Sequence, residues 1–533
     1  MRDASITWSP GDSLPSFGLI AERIAEHARV RPAAPALDDG QTAIDYAGLG
    51  ASMSRIAVTL QRDGVRPGQV VALCGRPSVR YAQVYLGALC AGAVVAPLPP
   101  SVTRESLVAM LRDSGARRLF IDAAAPSLQP EDFDRANCVA LGDDVPGPEF
   151  EEWLAPPGTA PAGVVIGPSD PFNIIYSSGT TGTPKGIVQS HGVRWAQVRR
   201  GASHGYSPAT RTLLATPLYS NTTLVAFFPT LAFGGCAYLM PKFDAHAYLR
   251  IAHRQRVTHT MLVPVQYQRI MALPEFGDFD LSSFQVKFCT SAPFATALKA
   301  DVLSRWPGGL LEFYGMTEGG GSTVLDARAH PDKLHTVGRP ADGCDIRLID
   351  EDGREVAPGQ VGEVVGHSAS MMSGYHGQPE KTREVEWFDA TGKRFIRTGD
   401  VGRFDADGFL TLIDRRKDMI ISGGFNIYPS DIEAQLRLHP AIGDAAVVGV
   451  PSDRWGETPV AFVILRDAAR AAGGEILDWY NRHAGKTQRL AALHVVEGFP
   501  RSAIGKVLKR ELRARHEEIA RTVHHERGAE CKG

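Results

Sequence analysis

An alternation of buried strands and helices early in the chain constrains its fold most strongly. The segment GQVVALCG (68–75) predicts a strand, SVRYAQVYLGALCAG (78–92) a helix, and AVVAPL (93–98) and RRLFID (117–122) two further strands. Strands connected through helices run parallel, and the helices pack on the faces of their sheet. We therefore predict an α/β fold with βαβ sheets in a large N-terminal domain.

Beyond residue 340 the pattern changes to short strands joined by Asp-Gly turns. The segments DIRLIDEDGREV (345–356) and GRFDADGFLTLIDR (402–415) predict hairpins and hence a small antiparallel region. The chain then alternates short strands with amphipathic helices, which is typical of a compact α+β unit. We predict an N-terminal domain over residues 1–414 and a small, mobile α+β C-terminal domain over 415–533.

Charge and composition exclude several classes of partner. The 533 residues carry a formal net charge of -2, which leaves no basic footprint for nucleic acid. The most apolar run, 223–235, is interrupted by Pro229 and is too short for an integral membrane segment. No secretory signal is visible, and the seven cysteines form no CxxC pair. These features favour a cytoplasmic protein with reduced thiols.

The segment YSSGTTGTPKG (176–186) follows an apolar strand and concentrates glycines and hydroxyls beside one lysine. Glycines let the backbone approach an anion, hydroxyls and amides donate to its oxygens, and Lys185 adds positive charge. The Walker pattern is absent, because Pro184 precedes the lysine and Gly186 follows it. Phosphate binding and a flexible linker are both compatible with this segment taken alone.

Three later segments carry further polar groups. FYGMTEGGG (313–321) places a tyrosine, a threonine and a carboxylate on one tight loop, where they could stack on a purine, contact phosphate and hold Mg²⁺. The segment 397–433 offers Asp400 to ribose hydroxyls, and PRSAIGKVLKREL (500–512) places Lys506 at the predicted start of a helix. Taken alone, the first segment is compatible with a surface turn, each acid of the second is more often a turn residue, and a lone lysine such as Lys506 is usually solvent-exposed.

Together and in this order, these segments resemble the adenylate-forming superfamily of acyl-CoA synthetases, adenylation domains and luciferases. The resemblance extends from about Phe17 to about Arg515. It implies that a carboxylate attacks the α-phosphate of ATP, releases pyrophosphate and forms an acyl-adenylate, from which a thiol displaces AMP. The implied cofactors are ATP, Mg²⁺ and coenzyme A, the last as a substrate.

The resemblance assigns roles to the ATP-binding residues. Tyr314 would pack on adenine, Thr317 would contact the α-phosphate and Glu318 would bind Mg²⁺. Asp400 and Arg415 would hold the ribose. The loop around the β- and γ-phosphates would comprise Ser177, Ser178, Gly179, Thr180, Thr181, Gly182 and Lys185.

The resemblance also implies a rotating C-terminal domain. Lys506 would bridge the substrate carboxylate and the ATP oxygens during adenylation. Its positive charge stabilises these anions more strongly in a closed site than in water. Lys417 would be the hinge. After the rotation, Gly423 and Gly424 would form a wall of the pantetheine channel, since missing side chains leave room for the thiol arm.

The acyl pocket departs from the family pattern, because Ser220 stands where relatives often carry a histidine. We expect Tyr219, Asn221, Ser291 and Ala292 to line the pocket, with Thr222 and Phe227 as further candidates. Core packing explains each of them equally well. The segment 219–235 contains no cation, which favours an apolar fatty, alicyclic or aromatic acid.

The motifs favour an ATP-dependent carboxylate-CoA ligase whose partners are a small carboxylic acid and CoA. An acyl-AMP ligase that loads a carrier protein would share the first half-reaction and is the nearest alternative. An amino-acid-activating domain is disfavoured, since the pocket segment after TPLYSN (216–221) lacks the aspartate that would bind an ammonium group. A non-catalytic nucleotide-binding protein would have no need of Lys185, Glu318, Asp400 and Lys506 together. The sequence does not specify the oligomeric state.

Overall fold

The structure of the protein is a computed structural model. It describes residues 14–126, 128–129, 131–142, 145, 147–177, 184–415, 418–422, 425–452, 454–466, 471–485, 488–502 and 506–530. The chain divides into two compact units, Met1–Ile346 with Gly366–Ile396 and Arg347–Val365 with Arg397–Gly533. The domain boundary at residue 414 remains a prediction.

The β-strands of the described residues are short, and most contain two to seven residues. In chain order they are β1 Pro35–Asp38, β2 Ala43–Asp45, β3 Val70–Cys74, β4 Val94–Leu98, β5 Arg118–Ile121, β6 Cys138–Ala140, β7 Pro171–Ser177, β8 Lys185–Ser190, β9 Arg211–Leu214, β10 Cys236–Leu239, β11 His259–Leu262, β12 Val286–Cys289, β13 Gly309–Tyr314, β14 Thr323–Asp326, β15 Arg339–Pro340, β16 Asp345–Ile349, β17 Gly362–His367, β18 Gly374–Tyr375, β19 Glu386–Phe388, β20 Arg394–Phe404, β21 Leu410–Arg415, β22 Ile420–Ser422, β23 Phe425–Ile427, β24 Ile442–Ser452, β25 Gly456–Leu465 and β26 Ala492–Val495.

The α-helices of the same residues follow in chain order. They are α1 Ile20–Val30, α2 Tyr46–Arg62, α3 Val79–Cys90, α4 Arg104–Ser114, α5 Phe150–Trp153, α6 His191–Gly201, α7 Asn221–Ala232, α8 Ala245–Arg254, α9 Pro264–Met271, α10 Thr296–Arg305, α11 Pro379–Glu384, α12 Pro429–Leu436, α13 Gly473–His483 and α14 Lys509–Glu530. None of these helices is long and apolar enough to cross a membrane.

The first unit contains two large sheets, as the βαβ pattern predicts. One orders its strands β18-β8-β7-β4-β3-β5-β6, and β3 pairs in parallel with both β4 and β5. The other orders them β15-β14-β13-β12-β11-β9-β10-β1-β2, with a parallel centre. Every residue of β3 and β4 is buried, which explains their nearly continuous apolar sequences.

The second unit is built mainly from antiparallel pairs. Both predicted hairpins are present: Ile349 bridges Glu355, and β20 pairs with β21. The long hairpin of β24 and β25 forms the centre of the C-terminal sheet, and β26 pairs in parallel with β25. The prediction that Lys506 begins a helix is wrong. The helix α14 begins at Lys509, because the preceding residues form a bridge between Arg501 and Val507.

A buried ion pair fixes α10 against β13, the strand that ends at Tyr314. The Lys299 ammonium contacts the Glu312 carboxylate and also donates to the carbonyls of Leu334 and Thr336, at 2.7 and 3.1 Å. Both charged side chains are almost completely inaccessible to solvent. Such a pair adds little net stability, but the removal of one partner leaves the other charge uncompensated.

We expect Lys299→Met to lower the free energy of unfolding by about 3–5 kcal/mol at alkaline pH, where Glu312 is ionised in the wild-type protein. Burial raises the pKa of Glu312 to about 7, above its ordinary 4.5. Without Lys299 this pKa should rise further, so the loss should grow as the pH rises above 7, where the wild-type protein ionises Glu312 beside the lysine and the variant cannot. Denaturant titrations at several pH values measure this effect. The double variant Lys299→Met/Glu312→Leu should recover most of the loss, and an equal loss in both variants would contradict the explanation.

Candidate active site

The two ends of the predicted phosphate loop are anchored to one carboxylate. The Tyr176 hydroxyl, just before the loop, donates to Asp113 at 2.6 Å. On the far side of the loop, the Gln378 amide donates to the Pro184 carbonyl at 3.1 Å and contacts Asp113 at 3.5 Å. Burial, reinforced by Asp113, raises the pKa of Tyr176, so its hydroxyl stays protonated as a donor. The loop therefore leaves the β7–β8 pair at fixed points.

Tyr375 lies between two of the predicted ATP-binding residues. Its hydroxyl donates to Glu318 Oε1 at 3.0 Å, and the Lys185 ammonium lies 5.3 Å from the centre of its ring. The strand β18 brings the tyrosine there by antiparallel pairing with β8, in which Tyr375 lies opposite Ile187. Burial and the Glu318 carboxylate both raise the pKa of Tyr375. One aromatic side chain thus separates a cation from a carboxylate in a half-buried site.

The loop that carries Thr317 and Glu318 has a backbone that requires glycine. Gly319 has φ +77°, and a Cβ there would lie 2.1 Å from the Ser370 carbonyl oxygen. Only glycine fits such a position. The turn is held further by the Gln189 amide, which donates to the Thr317 carbonyl at 2.7 Å, and by the Met372 amide, which donates to the Glu318 carbonyl at 2.8 Å. Tyr314 is the last residue of β13, directly before this loop.

Two of the predicted acyl-pocket segments meet at a pair of hydroxyls. Thr222, on the first turn of α7, lies 2.7 Å from the Ser291 hydroxyl. Ser291 adopts φ +82°, an unusual conformation for a residue with a side chain, and Ala292 beside it is half-buried. Strain of this kind is concentrated at functional sites. The structure therefore brings α7 and the segment after β12 together, as the pocket prediction requires.

The other acyl-pocket candidates point in different directions. Burial raises the pKa of Tyr219, and the nearby Ser101 hydroxyl partly opposes this shift. The Asn221 carboxamide oxygen accepts from the Arg194 guanidinium at 2.8 Å. Phe227 is completely buried against the Phe228 ring and contributes to the core.

The second unit holds the predicted ribose and carboxylate ligands. Asp400 on β20 lies directly opposite Arg415 on β21 in the antiparallel register. Lys506 is exposed, and its backbone closes a small loop in which the Ser502 amide donates to the Lys506 carbonyl at 2.8 Å. The strand pairing thus places the backbones of two residues that are distant in the sequence opposite each other, and their role in ribose binding stays a prediction.

Several predicted residues lie outside the described residues. They are Ser178, Gly179, Thr180, Thr181, Gly182, Lys417, Gly423 and Gly424. Their roles in phosphate binding, in the hinge and in the pantetheine channel stay predictions, as do the roles of Ser177 and Arg415.

Comparison with known families identifies the chain. Residues 24–376 match the model of the AMP-binding enzyme family, and residues 431–506 match that of the AMP-binding enzyme C-terminal domain. The chain belongs to the adenylate-forming superfamily. Within it, the chain is an AMP-forming acyl-CoA synthetase, and ATP, Mg²⁺ and CoA are its cofactors.

Its relatives in this superfamily span nearly the whole chain. A feruloyl-CoA synthase from an Amycolatopsis species is 36% identical over 92% of this chain and 97% of that protein. The fatty acid–[acyl-carrier-protein] ligase ScoC of Streptomyces coeruleorubidus is 30% identical over 94% of this chain and 97% of its own length. The solved structure of ATP-bound MatB from Rhodopseudomonas palustris is 28% identical, with a TM-score of 0.83, and covers 94% of this chain and 99% of MatB.

The described residues fit the groups that an adenylate-forming enzyme binds. Glu318 offers a half-buried carboxylate, the kind of hard oxygen ligand that Mg²⁺ prefers. Lys185 lies at the base of the glycine-rich loop, where its charge suits the phosphates. Sequence reasoning missed Tyr375, Asp113 and Arg194, because each acts through residues from distant segments. A lone tyrosine between Gly374 and His376 carries no local signal of its contact with Glu318.

We expect Tyr375→Phe to lower the rate of acid-dependent pyrophosphate release about 10-fold, within the range for residues that hydrogen-bond to a metal ligand and orient it. The ring beneath Lys185 remains, and only the hydroxyl that orients Glu318 is lost. The effect should appear mainly as a higher Mg²⁺ concentration at half-maximal rate, measured by Mg²⁺ titration at saturating ATP. An unchanged Mg²⁺ dependence would show that the hydroxyl does not orient the metal ligand.

Proposed function

We propose that the protein is an ATP-dependent carboxylate-CoA ligase that forms an acyl-CoA through an acyl-adenylate and releases AMP and pyrophosphate. The observation that carries this proposal is the arrangement of Lys185, Tyr375 and Glu318 at the base of the glycine-rich loop. It places a cation and a carboxylate beside a segment whose glycines and hydroxyls suit a polyphosphate. Packing alone would not require the Lys185 cation, the Tyr375 hydroxyl and the Glu318 carboxylate at the same place.

The first half-reaction joins two anions and therefore depends on positive charge. A carboxylate oxygen of the acid attacks the α-phosphorus of ATP, and the bond to the pyrophosphate oxygen breaks. In this proposal Lys185 binds the phosphates that leave, and Lys506 neutralises the carboxylate and the α-phosphate during attack. Glu318 would hold Mg²⁺, which neutralises phosphate charge when bound. Tyr314, Thr317, Asp400 and Arg415 would position the nucleotide.

The second half-reaction transfers the acyl group to a thiol. The CoA sulfur attacks the acyl carbon, the bond from that carbon to the phosphate oxygen breaks, and AMP leaves with both electrons of that bond. We assign Lys417 as the hinge that removes Lys506 after adenylation. Gly423 and Gly424 would then line the path of the pantetheine arm. Such domain rotation lets one site serve two different reactions.

The acid is proposed to be a fatty, alicyclic or aromatic carboxylic acid. Its tail would lie against the start of α7 and the Ser291–Ala292 segment. Feruloyl-CoA synthase, one of the most similar relatives, favours an aromatic acid within this range. The carrier-protein ligase among the relatives supports an alternative acceptor for the acyl group, namely the phosphopantetheine thiol of a carrier protein instead of CoA. We place the enzyme in the cytoplasm, where its described cysteines would stay reduced.

A panel of acids tests the proposal. The purified protein is incubated with ATP, Mg²⁺ and acetate, fatty acids, cyclohexanecarboxylate, benzoates, cinnamates or malonate, with and without CoA. Pyrophosphate release and thioester mass are followed together. Turnover of one chemical group to its acyl-CoA is the expected result. Pyrophosphate release without any CoA thioester would favour the carrier-protein alternative, and no pyrophosphate with any acid would refute the function.

A further inference from the structure

Arg194 is a charged residue in the core of the first unit. It lies on α6, is completely buried, and forms no ion pair with any residue that the structure describes. Its guanidinium lies 5.9 and 5.7 Å from the ring centres of Phe172 and Phe228. Burial lowers the pKa of Arg194 only to about 10, so the group is charged at neutral pH. Because a buried charge without a counter-ion is costly, the polar groups around this guanidinium must compensate for its burial.

The polar partners of Arg194 are three side-chain amides. Its Nε donates to Asn173 Oδ1 at 3.0 Å, and its Nη1 donates to Gln197 Oε1 at 2.9 Å and to Asn221 Oδ1 at 2.8 Å. A guanidinium has donors but no acceptor. Each amide must therefore turn its oxygen toward Arg194 and its NH₂ group away. Arg194 thus decides the orientation of all three amides.

Two of these amides belong to residues that are partly accessible to solvent. Asn173 is completely buried, whereas Gln197 and Asn221 are half-buried. The NH₂ groups of Gln197 and Asn221 form no hydrogen bond with any described residue. Since both oxygens accept from the same Nη1 atom, the two amides lie side by side. They present adjacent donors on the outer side of the guanidinium.

This donor pair lies beside the predicted acyl pocket. Asn221 is the first residue of α7 and precedes Thr222, whose hydroxyl meets that of Ser291. The two NH₂ groups are neutral hydrogen-bond donors. A hydrocarbon tail bound against them would leave them without an acceptor. A site with such donors discriminates against an analogue that lacks the matching oxygen.

We propose that Arg194 is a positioning residue for acyl specificity. It fixes Gln197 and Asn221 as a donor pair, and the pocket thereby selects acids whose tail carries an uncharged acceptor oxygen, as a hydroxyl, ether or keto group. This inference rests on the proposed carboxylate-CoA ligase function and narrows its substrate class. A purely structural Arg194 would join α6, α7 and β7 without any effect on which tail is preferred.

Pairs of acids that differ in one oxygen test the inference. We would compare 3- and 4-methoxycinnamate with 3- and 4-ethylcinnamate, and 3- and 4-oxocyclohexanecarboxylate with the corresponding methylenecyclohexanecarboxylates. The quantity measured is the ratio of kcat/KM for the oxygenated acid to that for its hydrocarbon partner. In the wild-type enzyme we expect a ratio of about 10 to 100 in at least one pair.

Asn221→Asp is the most informative variant. The carboxylate should still accept from Arg194, and it neutralises the buried charge, so the fold is retained. The side chain at position 221 then has no NH₂ group, so only the Gln197 donor of the pair remains, and we expect the ratio to fall toward 1. Arg194→Met removes the donor that orients both amides and should also lower the ratio. Combining it with Asn221→Asp should change the ratio little further. Asn173→Asp is the matched control. Asn173 accepts from the same guanidinium but is completely buried, so it cannot contact the acid.

The outcomes separate this inference from the proposed function. A ratio near 1 for every pair in wild-type enzyme, or a high ratio that survives Asn221→Asp, would overturn the role of the donor pair while leaving the ligase intact. Absence of pyrophosphate release with every acid would overturn the ligase and the inference together. Thermal melting of each variant shows that it is folded, so a lowered ratio cannot arise from unfolding.

Discussion

Lys506→Ala should lower the rate of adenylation by about 100- to 1,000-fold, the usual cost of losing one preorganised group that stabilises charge in a transition state. The ammonium is proposed to neutralise the carboxylate while it attacks an anionic phosphate. Thioester formation from supplied acyl-AMP needs no such attack and should change little. Acid-dependent pyrophosphate release measures the first step, and acyl-CoA formed from synthetic acyl-AMP measures the second.

Arg510 provides a matched control for this variant. It is an exposed cation close to Lys506 in the chain, on the first turn of α14. Arg510→Ala should leave both half-reactions near the wild-type rate. If Lys506→Ala reduced the two half-reactions equally, the lysine would not be specific to adenylation, and the domain rotation would lose its main support.

Glu318→Gln should lower pyrophosphate release about 100-fold, because an uncharged amide is a poor ligand for Mg²⁺ and metal charge contributes several kcal/mol to such transition states. The Tyr375 hydroxyl can still donate to the remaining carboxamide oxygen, so the local packing is kept. The loss should be partly reversed at high Mg²⁺. Pyrophosphate release across a Mg²⁺ titration measures both effects.

Glu384→Gln is the control for Glu318. Glu384 is an exposed carboxylate whose charge also influences Tyr375. Its replacement removes a negative charge near the same tyrosine without removing the proposed metal ligand. An equal loss of activity in the two variants would mean that Glu318 acts through the general electrostatic field rather than through Mg²⁺.

The fold was largely predictable from local patterns. The strands β3, β4 and β5 and the helix α3 follow directly from their apolar sequences, and the hairpins follow from Asp-Gly turns. The start of α14 was misplaced by three residues. The amphipathic pattern continues backward through Lys506, but backbone pairing between Arg501 and Val507 prevents a helix there.

The site was less predictable, because its support comes from distant segments. Lys185 and Glu318 stand out in their motifs, whereas Tyr375 gains its contact only when β18 pairs with β8. Arg194 is a similar case. Its sequence neighbours suggest an ordinary helix, and the absence of a cation in 219–235 favoured a purely apolar pocket. The guanidinium reaches Asn221 from another helix, and only the folded structure reveals this.

The most direct test of carboxylate activation follows an oxygen atom. An acid that is turned over is labelled with ¹⁸O in both carboxylate oxygens, and the AMP released during acyl-CoA formation is analysed by mass spectrometry. Because a carboxylate oxygen attacks the α-phosphorus and stays there when the thiol takes the acyl group, AMP should carry one ¹⁸O. AMP without ¹⁸O would contradict the acyl-adenylate mechanism.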